Sequence, residues 1–375
     1  MSVQIYGHFS NYLSFANVSR QVAIAVKRRG LNFLVHEIGT SNATYEGSPF
    51  PVGLSSQATV GICLAYPPVG IGWLQEHEYK VLMTVCEADT VPQDWTAACN
   101  EVQLVVVPSE FCKAAFERSG VRAPILVVPH GIDERIWSAE TRPRDLPTRI
   151  LHISGAASFP QRKGTPQLLS AWREIEKQNH EAELHVKFPM LDVERYAAVI
   201  KHLNCKRLFF FDQLNLLKDE PEAHYSYSHT RMHDLLLSSA AVVQPSRGEG
   251  FGLLPLEARC AGVPAILTTT TGHAQHFADG VDIPITTGPM AAMATQGNAA
   301  GKCPTLTAEA VFDGLTAFLK DIPGHTARTQ KWAAENKQKW YWSTVLKPLI
   351  AAIMPYATKP TVHRSGEESS VRGFW

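Results

Sequence analysis

The chain has 375 residues, more than one core ordinarily supports, so two domains of ordinary size are expected. Hydrophobic residues make up 45% and charged residues 19%, a globular composition that argues against disorder. Lys plus Arg and Asp plus Glu both number 35, a balance that weakens any reading as a dedicated nucleic-acid or anionic-membrane binder.

Short apolar runs alternate with helical patterns along the chain. Residues 4–6, 32–36, 59–65, 80–85, 103–107 and 125–128 are continuous apolar runs, as strands buried on both faces require. Between the first two, residues 15–29 carry Val18, Val22 and Val26 on one face and stop at Gly30, the pattern of an amphipathic helix with a glycine end. Ser109 caps a further helix to about Arg118. Residues 133–147 hold prolines and no period, which makes them the expected linker. A second set follows, with strands at 149–154, 183–188, 207–211, 241–244 and 264–267 and helices at 166–178, 231–238 and 254–261. Residues 307–320 and 327–352 read as purely helical, and 359–375 as a loose polar tail. Strand and helix alternating twice over predict an α/β fold of two facing Rossmann-like domains with parallel sheets and a helical C-terminus. The expected division is 1–135, 148–335, helices at 336–356 crossing back to the first domain, and the tail at 357–375.

Seven cysteines are scattered without a CxxC pair, as expected of reduced thiols in a cytosolic protein. The N-terminus lacks a secretory pattern, and no apolar window is long enough to span a bilayer. The expected location is therefore the cytoplasm or its membrane face.

Two sheets meeting at their carboxyl edges form a cleft, and the residues at those edges decide the chemistry. The strand ending at Gln244 runs into Gly248-Glu249-Gly250-Phe251-Gly252 and then a helix containing Glu257 in its first turn. Free amides before a helix N-terminus favour an anion such as phosphate, and glycines admit a ligand close to the main chain. A carboxylate such as Glu249 or Glu257 accepts two hydrogen bonds at once, which suits vicinal sugar hydroxyls. The strand at 149–154 leads to Arg162-Lys163-Gly164-Thr165-Pro166, where Thr165 is the expected N-cap. Two cations arriving at a helix N-terminus form a diphosphate site. His224, His229 and His233 lack a completing ligand at short spacing, so no metal is expected there.

The segment from Ser246 to Pro264, with Glu249, seven residues and then Glu257, closely resembles the signature of family 4 retaining glycosyltransferases of GT-B fold. Arg162-Lys163-Gly164 resembles that family's phosphate-binding pair, and Val107-Pro108-Ser109 and Val128-Pro129-His130-Gly131 resemble the end of its first domain. The likeness covers roughly residues 80 to 275 and implies a nucleotide-diphosphate-sugar donor substrate, with no cofactor and no essential metal. It implies that Glu249 and the amides of Gly250, Phe251 and Gly252 hold the donor sugar, Glu257 the ribose, and Arg162 and Lys163 the diphosphate. The first eighty residues depart from the family. Ser14 and Asn17 are the nearest counterparts of its glycine-rich donor loop, and Tyr66-Pro67-Pro68 stands where a histidine is usual. Glu87 resembles a sub-group with an acidic residue at that strand end, which implies a role toward the acceptor.

The reading is a retaining, hexosyltransferase-type, metal-independent glycosyltransferase. The catalytic candidates are Glu249, Arg162, Lys163 and Glu87, and the donor-binding candidates are Gly250, Phe251, Gly252, Glu257, Ser14 and Asn17. A nucleotide-sugar epimerase and a non-catalytic sugar-nucleotide binder are the alternatives. Glycan, lipid-linked glycan, small molecule and modified nucleobase all stay open as acceptors, as do the donor sugar, the base and the oligomeric state.

Overall fold

A computed structural model describes residues 2–10, 14–38, 49–55, 57–137, 147–154, 161–179, 181–188, 201–212, 229–295 and 301–357. The first half forms a six-stranded sheet of β1 (Val3–Gly7), β2 (Phe33–Glu37), β3 (Val60–Leu64), β4 (Tyr79–Met83), β5 (Leu104–Val107) and β6 (Ile125–Val127). The strands run parallel in the order β2-β1-β3-β4-β5-β6. Every residue of β1, β3 and β5 is buried, the reason their sequences run apolar without alternation. Helices α1 (Ser14–Arg28), α2 (Pro67–Leu74), α3 (Gln93–Cys99) and α4 (Glu110–Arg118) lie between the strands. Ser109 caps α4, accepting the Cys112 amide at 3.2 Å.

The second sheet contains β7 (Arg149–Ile153), β8 (Glu183–Phe188), β9 (Leu208–Asp212), β10 (Ala241–Gln244), β11 (Ala265–Thr268) and β12 (Ile283–Ile285), parallel in the order β12-β11-β10-β7-β8-β9. Its helices include α5 (Thr165–Gln178), α6 (His229–Leu237), α7 (Leu253–Cys260) and α8 (Ala308–Lys320), followed by α9 (Ile322–Asn336) and α10 (Lys347–Ala357). The fold is α/β, two facing Rossmann-like domains with a helical C-terminus.

Four local expectations are corrected. Residues 327–352 are not one helix, because the chain breaks to pair with the other crossing between the domains. The Ile132 amide donates to the Trp340 carbonyl at 2.8 Å and the Trp342 amide donates back to Ile132 at 3.2 Å. After this bridge α10 returns to the first sheet, burying Leu349, Ile353 and Ala357 in the core that contains Val3 and Ile5. The cap of α5 is Gly164, in the left-handed region at φ 70°, and not Thr165. The Thr165 hydroxyl is turned inward to His152 at 2.9 Å and Ser154 at 3.1 Å. The sixth strand β12 and the hairpin β13 (Met290–Ala292)–β14 (Lys302–Pro304) have only three residues each, too short for a period to register. Glu257 lies in the second turn of α7 rather than its first, since that helix already begins at Leu253.

Candidate active site

The carboxyl ends of β10 and β11 build the core of the site. The turn from β10 into α7 passes beneath the loop after β11, where a Cβ at Gly272 would strike the main chain of Glu249, Gly250 and Phe251. The Gly272 amide donates to the Glu249 carbonyl at 2.7 Å, and Thr271 accepts the Glu249 amide on its hydroxyl at 3.2 Å. Thr271 holds φ 55°, a left-handed conformation that a β-branched residue adopts only when its surroundings enforce it. Gly252 caps α7 at φ 81°, and a Cβ there would meet the His273 ring. The amides of Gly250, Phe251 and Gly252 have no acceptor among the described residues, and they stand at a helix N-terminus.

Against this turn lies the turn before α5. The Arg247 amide donates to the Arg162 carbonyl at 2.7 Å, and the Arg162 guanidinium donates to the Gly248 carbonyl at 2.6 Å. Lys163 Nζ sits 2.6 Å from Glu249 Oε1, and Arg162 Nη1 lies 3.4 Å from Glu249 Oε2. Glu87, from the loop after β4, reaches across the cleft to Arg162 at 3.8 Å. All four catalytic candidates thus form one charge cluster, two cations against two carboxylates, built by both domains. Burial by itself would raise the Glu249 carboxyl, but Lys163 and Arg162 beside it hold it well below the usual carboxylate range. Burial pushes Glu87 up, Arg162 pulls it down, and neighbouring Glu249 adds to the rise. Glu87 Oε2 is buried without a hydrogen-bond partner among the described residues.

Glu257 is set apart. It is only 9% exposed, its carboxyl group makes no hydrogen bond or ion pair among the described residues, and burial pushes that carboxyl up to about 7. Ser14 is exposed at the start of α1, whereas Asn17 is buried with its Oδ1 unpartnered among the described residues. Neither is hydrogen-bonded to the four-residue cluster. The turn between β1 and α1 is occupied from within: Glu37, at the end of β2, accepts the amides of Phe9 at 2.7 Å and Ser10 at 3.1 Å. Of the three histidines weighed for a metal, His224 and the side chain of His229 lie outside the described residues, and His233 packs edge-on against Trp137 at 5.2 Å.

Several residues at the site had no functional signal in the sequence. The Ser109 hydroxyl, beyond capping α4, donates to the Gly250 carbonyl at 2.6 Å and so ties the first domain to the glycine turn. Val85 and Cys86 press on the space beside Gly250, where a side chain would collide with them. The hairpin β13–β14 closes the other flank, where the Asp89 carboxylate accepts the Lys302 amide at 2.8 Å. His273 is kept neutral by burial, with its pKa lowered to about 4, and Nδ1 lies 3.2 Å from the Thr268 carbonyl.

Residues 107–349 match the family described as Family 4 Glycosyltransferase in conflict systems. No curated protein matches the chain. Among solved structures, sucrose-phosphate synthase from Thermosynechococcus elongatus superposes with a TM-score of 0.68 at 14% identity, over 94% of this chain and 100% of its own. OtsA in its apo form gives 0.63 at 10% identity over 94% and 99%. The apo form of WaaB, a lipopolysaccharide outer core galactosyltransferase, gives 0.60 at 14% identity over 95% and 99%. At such identities the likeness is one of fold. Among the described residues no helix is long and apolar enough to cross a membrane.

Proposed function

The chain belongs to the family 4 glycosyltransferases of conflict systems, and from that premise we propose that it moves a hexose from a nucleotide-diphosphate sugar to an acceptor hydroxyl with retention of configuration. The observation that carries this reading is the cluster of Glu87, Arg162, Lys163 and Glu249, beside three amides without acceptors among the described residues. Charge developing on a departing diphosphate is offset by the two cations and by the positive end of α7. Glu249 lies beside the sugar and tightens its hold as positive charge grows on the ring. Glu257, unpaired and on the next turn of the helix, takes the ribose hydroxyls. Glu87 faces the acceptor. The bond between the anomeric carbon and the diphosphate oxygen breaks as the bond to the acceptor oxygen forms on the same face, and the acceptor's hydroxyl proton passes to the departing diphosphate oxygen.

The test is a thermal-shift screen over a nucleotide-sugar panel, followed by the products of the donor that binds. A donor at a hundred times its dissociation constant stabilises by about 2.7 kcal/mol. Release of the free sugar in the initially retained anomeric form, read by proton NMR, supports a retaining enzyme. An epimerised nucleotide sugar or binding without turnover overturns transferase action. The cationic diphosphate site predicts turnover that survives EDTA, and abolition by EDTA with rescue by Mn²⁺ or Mg²⁺ overturns metal independence.

A further inference from the structure

The loop after β3 carries Tyr66, which caps α2 from an extended conformation at φ −64° and ψ 140°. β3 and β4 are hydrogen-bonded neighbours, with Leu64 opposite Met83, so Tyr66 and Glu87 leave the same edge of the sheet side by side. The Tyr66 ring is backed by buried Trp95 at 5.0 Å and flanked by Phe15, from the first turn of α1, at 5.8 Å. Trp95 is thus the floor, while Phe15 and Tyr66 keep part of their surface exposed. The Tyr66 hydroxyl has no hydrogen-bond partner among the described residues.

The strand register brings the same ring to the edge of the cleft from which Glu87 reaches Arg162. Burial pushes the phenol up to about 12, Glu87 adds to the rise and Arg162 opposes it, so the phenol lies within the field of both active-site charges. It stays protonated at neutral pH and can donate a hydrogen bond. A partly exposed aromatic ring with a donor at its tip suits a ligand that has a flat or weakly polar ring face and a hydroxyl at its rim. It does not suit an extended alkyl alcohol, which offers no face to stack.

We propose that Phe15 and Tyr66 form an acceptor subsite for a neutral, ring-bearing alcohol, with Tyr66 stacking the ring and steering its hydroxyl toward Glu87. The proposal rests on the glycosyltransfer reading. It adds that a positioning residue stands at the end of β3 and that the acceptor is selected by a ring. A hexopyranoside and a hydroxymethylated pyrimidine nucleoside share this chemistry, and they form the two arms of the test.

Saturation-transfer NMR on the full chain, with methyl glucopyranoside, a hydroxymethylated pyrimidine nucleoside and glycerol as separate probes, reads the subsite without any donor. Ring protons of one of the two ring probes should receive saturation, and glycerol should not. Tyr66→Ala should lose that signal, whereas Tyr66→Phe, which keeps the ring, should keep most of it. In turnover with the same probe, Tyr66→Ala should raise the acceptor KM about tenfold, the scale of one lost stacking contact and its hydrogen bond. The donor thermal shift should be kept in that variant, which a general loss of structure would not allow. Equal saturation in wild type and Tyr66→Ala overturns the subsite, as does the absence of ring saturation from both ring probes. If no nucleotide sugar binds, glycosyltransfer fails while the NMR result still decides whether the ring site exists.

Discussion

At the carboxyl end of β10 the chain turns through Gly248, Gly250 and Gly252 and leaves the amides of Gly250, Phe251 and Gly252 without acceptors among the described residues. At the carboxyl end of β1 the equivalent turn carries Gly7 alone, and two of its amides are held by Glu37 at 2.7 and 3.1 Å. Both are strand-to-helix turns of a doubly wound sheet, the position where an anion ordinarily binds. In the second domain no carboxylate of the described residues accepts these amides, and Arg162 and Lys163, both paired with Glu249, lie beside the turn. In the first domain a carboxylate of the chain itself fills that role. One fold thus yields a candidate ligand site and a self-satisfied structural turn, and the difference is where an acidic side chain lies in the sheet.

The sharpest way to break this comparison is at Glu249. Hydrogen bonds to a charged group contribute roughly 1.5–3 kcal/mol, or about 10- to 150-fold in a rate. Glu249→Gln should lower kcat by that factor, because the contact tightens in the transition state and because Lys163 and Arg162 lose their anionic partner. Steady-state kinetics with the donor found by the screen would measure it. Full kcat in Glu249→Gln, with kcat lost in Glu257→Gln, would reverse the assigned roles.

Glu257→Gln should raise the donor KM about tenfold with little change in kcat, as loss of uniform binding does. It should also change stability with pH. The folded pKa is raised, from 4.5 to about 7, so the native state holds its proton more tightly than the unfolded chain. The penalty is absent below pH 4.5, grows between the two values and is complete above about 7. At pH 8 the glutamine variant should therefore be more stable than wild type, by up to roughly 3 kcal/mol, while at pH 4 the two should melt alike. Thermal denaturation at both pH values would show it, and equal melting at pH 8 would mean that Glu257 is not an unpaired buried carboxylate.

The smallest expected effect lies at Glu37. Burial opposes its ionisation, but hydrogen bonds from His8, Phe9 and Ser10 hold its pKa below 4.5. Its stabilisation is therefore present above pH 4.5 and is lost as pH falls through the lowered value. Glu37→Gln should cost about 1–2 kcal/mol at pH 7 and leave the donor KM within twofold. A large rise in donor KM would mean that the first turn does serve the donor, as Ser14 and Asn17 do in the reading by resemblance.

Parts of this molecule are legible in the sequence for plain physical reasons. Strands buried on both faces have no alternating partner surface, so β1, β3 and β5 read as unbroken apolar runs. Glycine is needed where a Cβ would strike backbone, so the turn at Gly248 to Gly252 stands out, and Ser109 reads as the cap it is. The charge of Arg162, Lys163, Glu249 and Glu87 is likewise visible residue by residue. Only the tertiary structure decides that these four neutralise one another, since residues 87, 162 and 249 meet through the packing of two sheets and not through any local spacing. The same holds for Thr271, strained to receive one amide, and for Glu257, whose ionisation depends on how much of α7 is covered. It holds as well for the break before α10, which follows from a backbone pairing with Ile132 more than two hundred residues away. Local sequence carries propensity and chemical type, whereas dielectric, partner and strain are properties of what the fold places alongside.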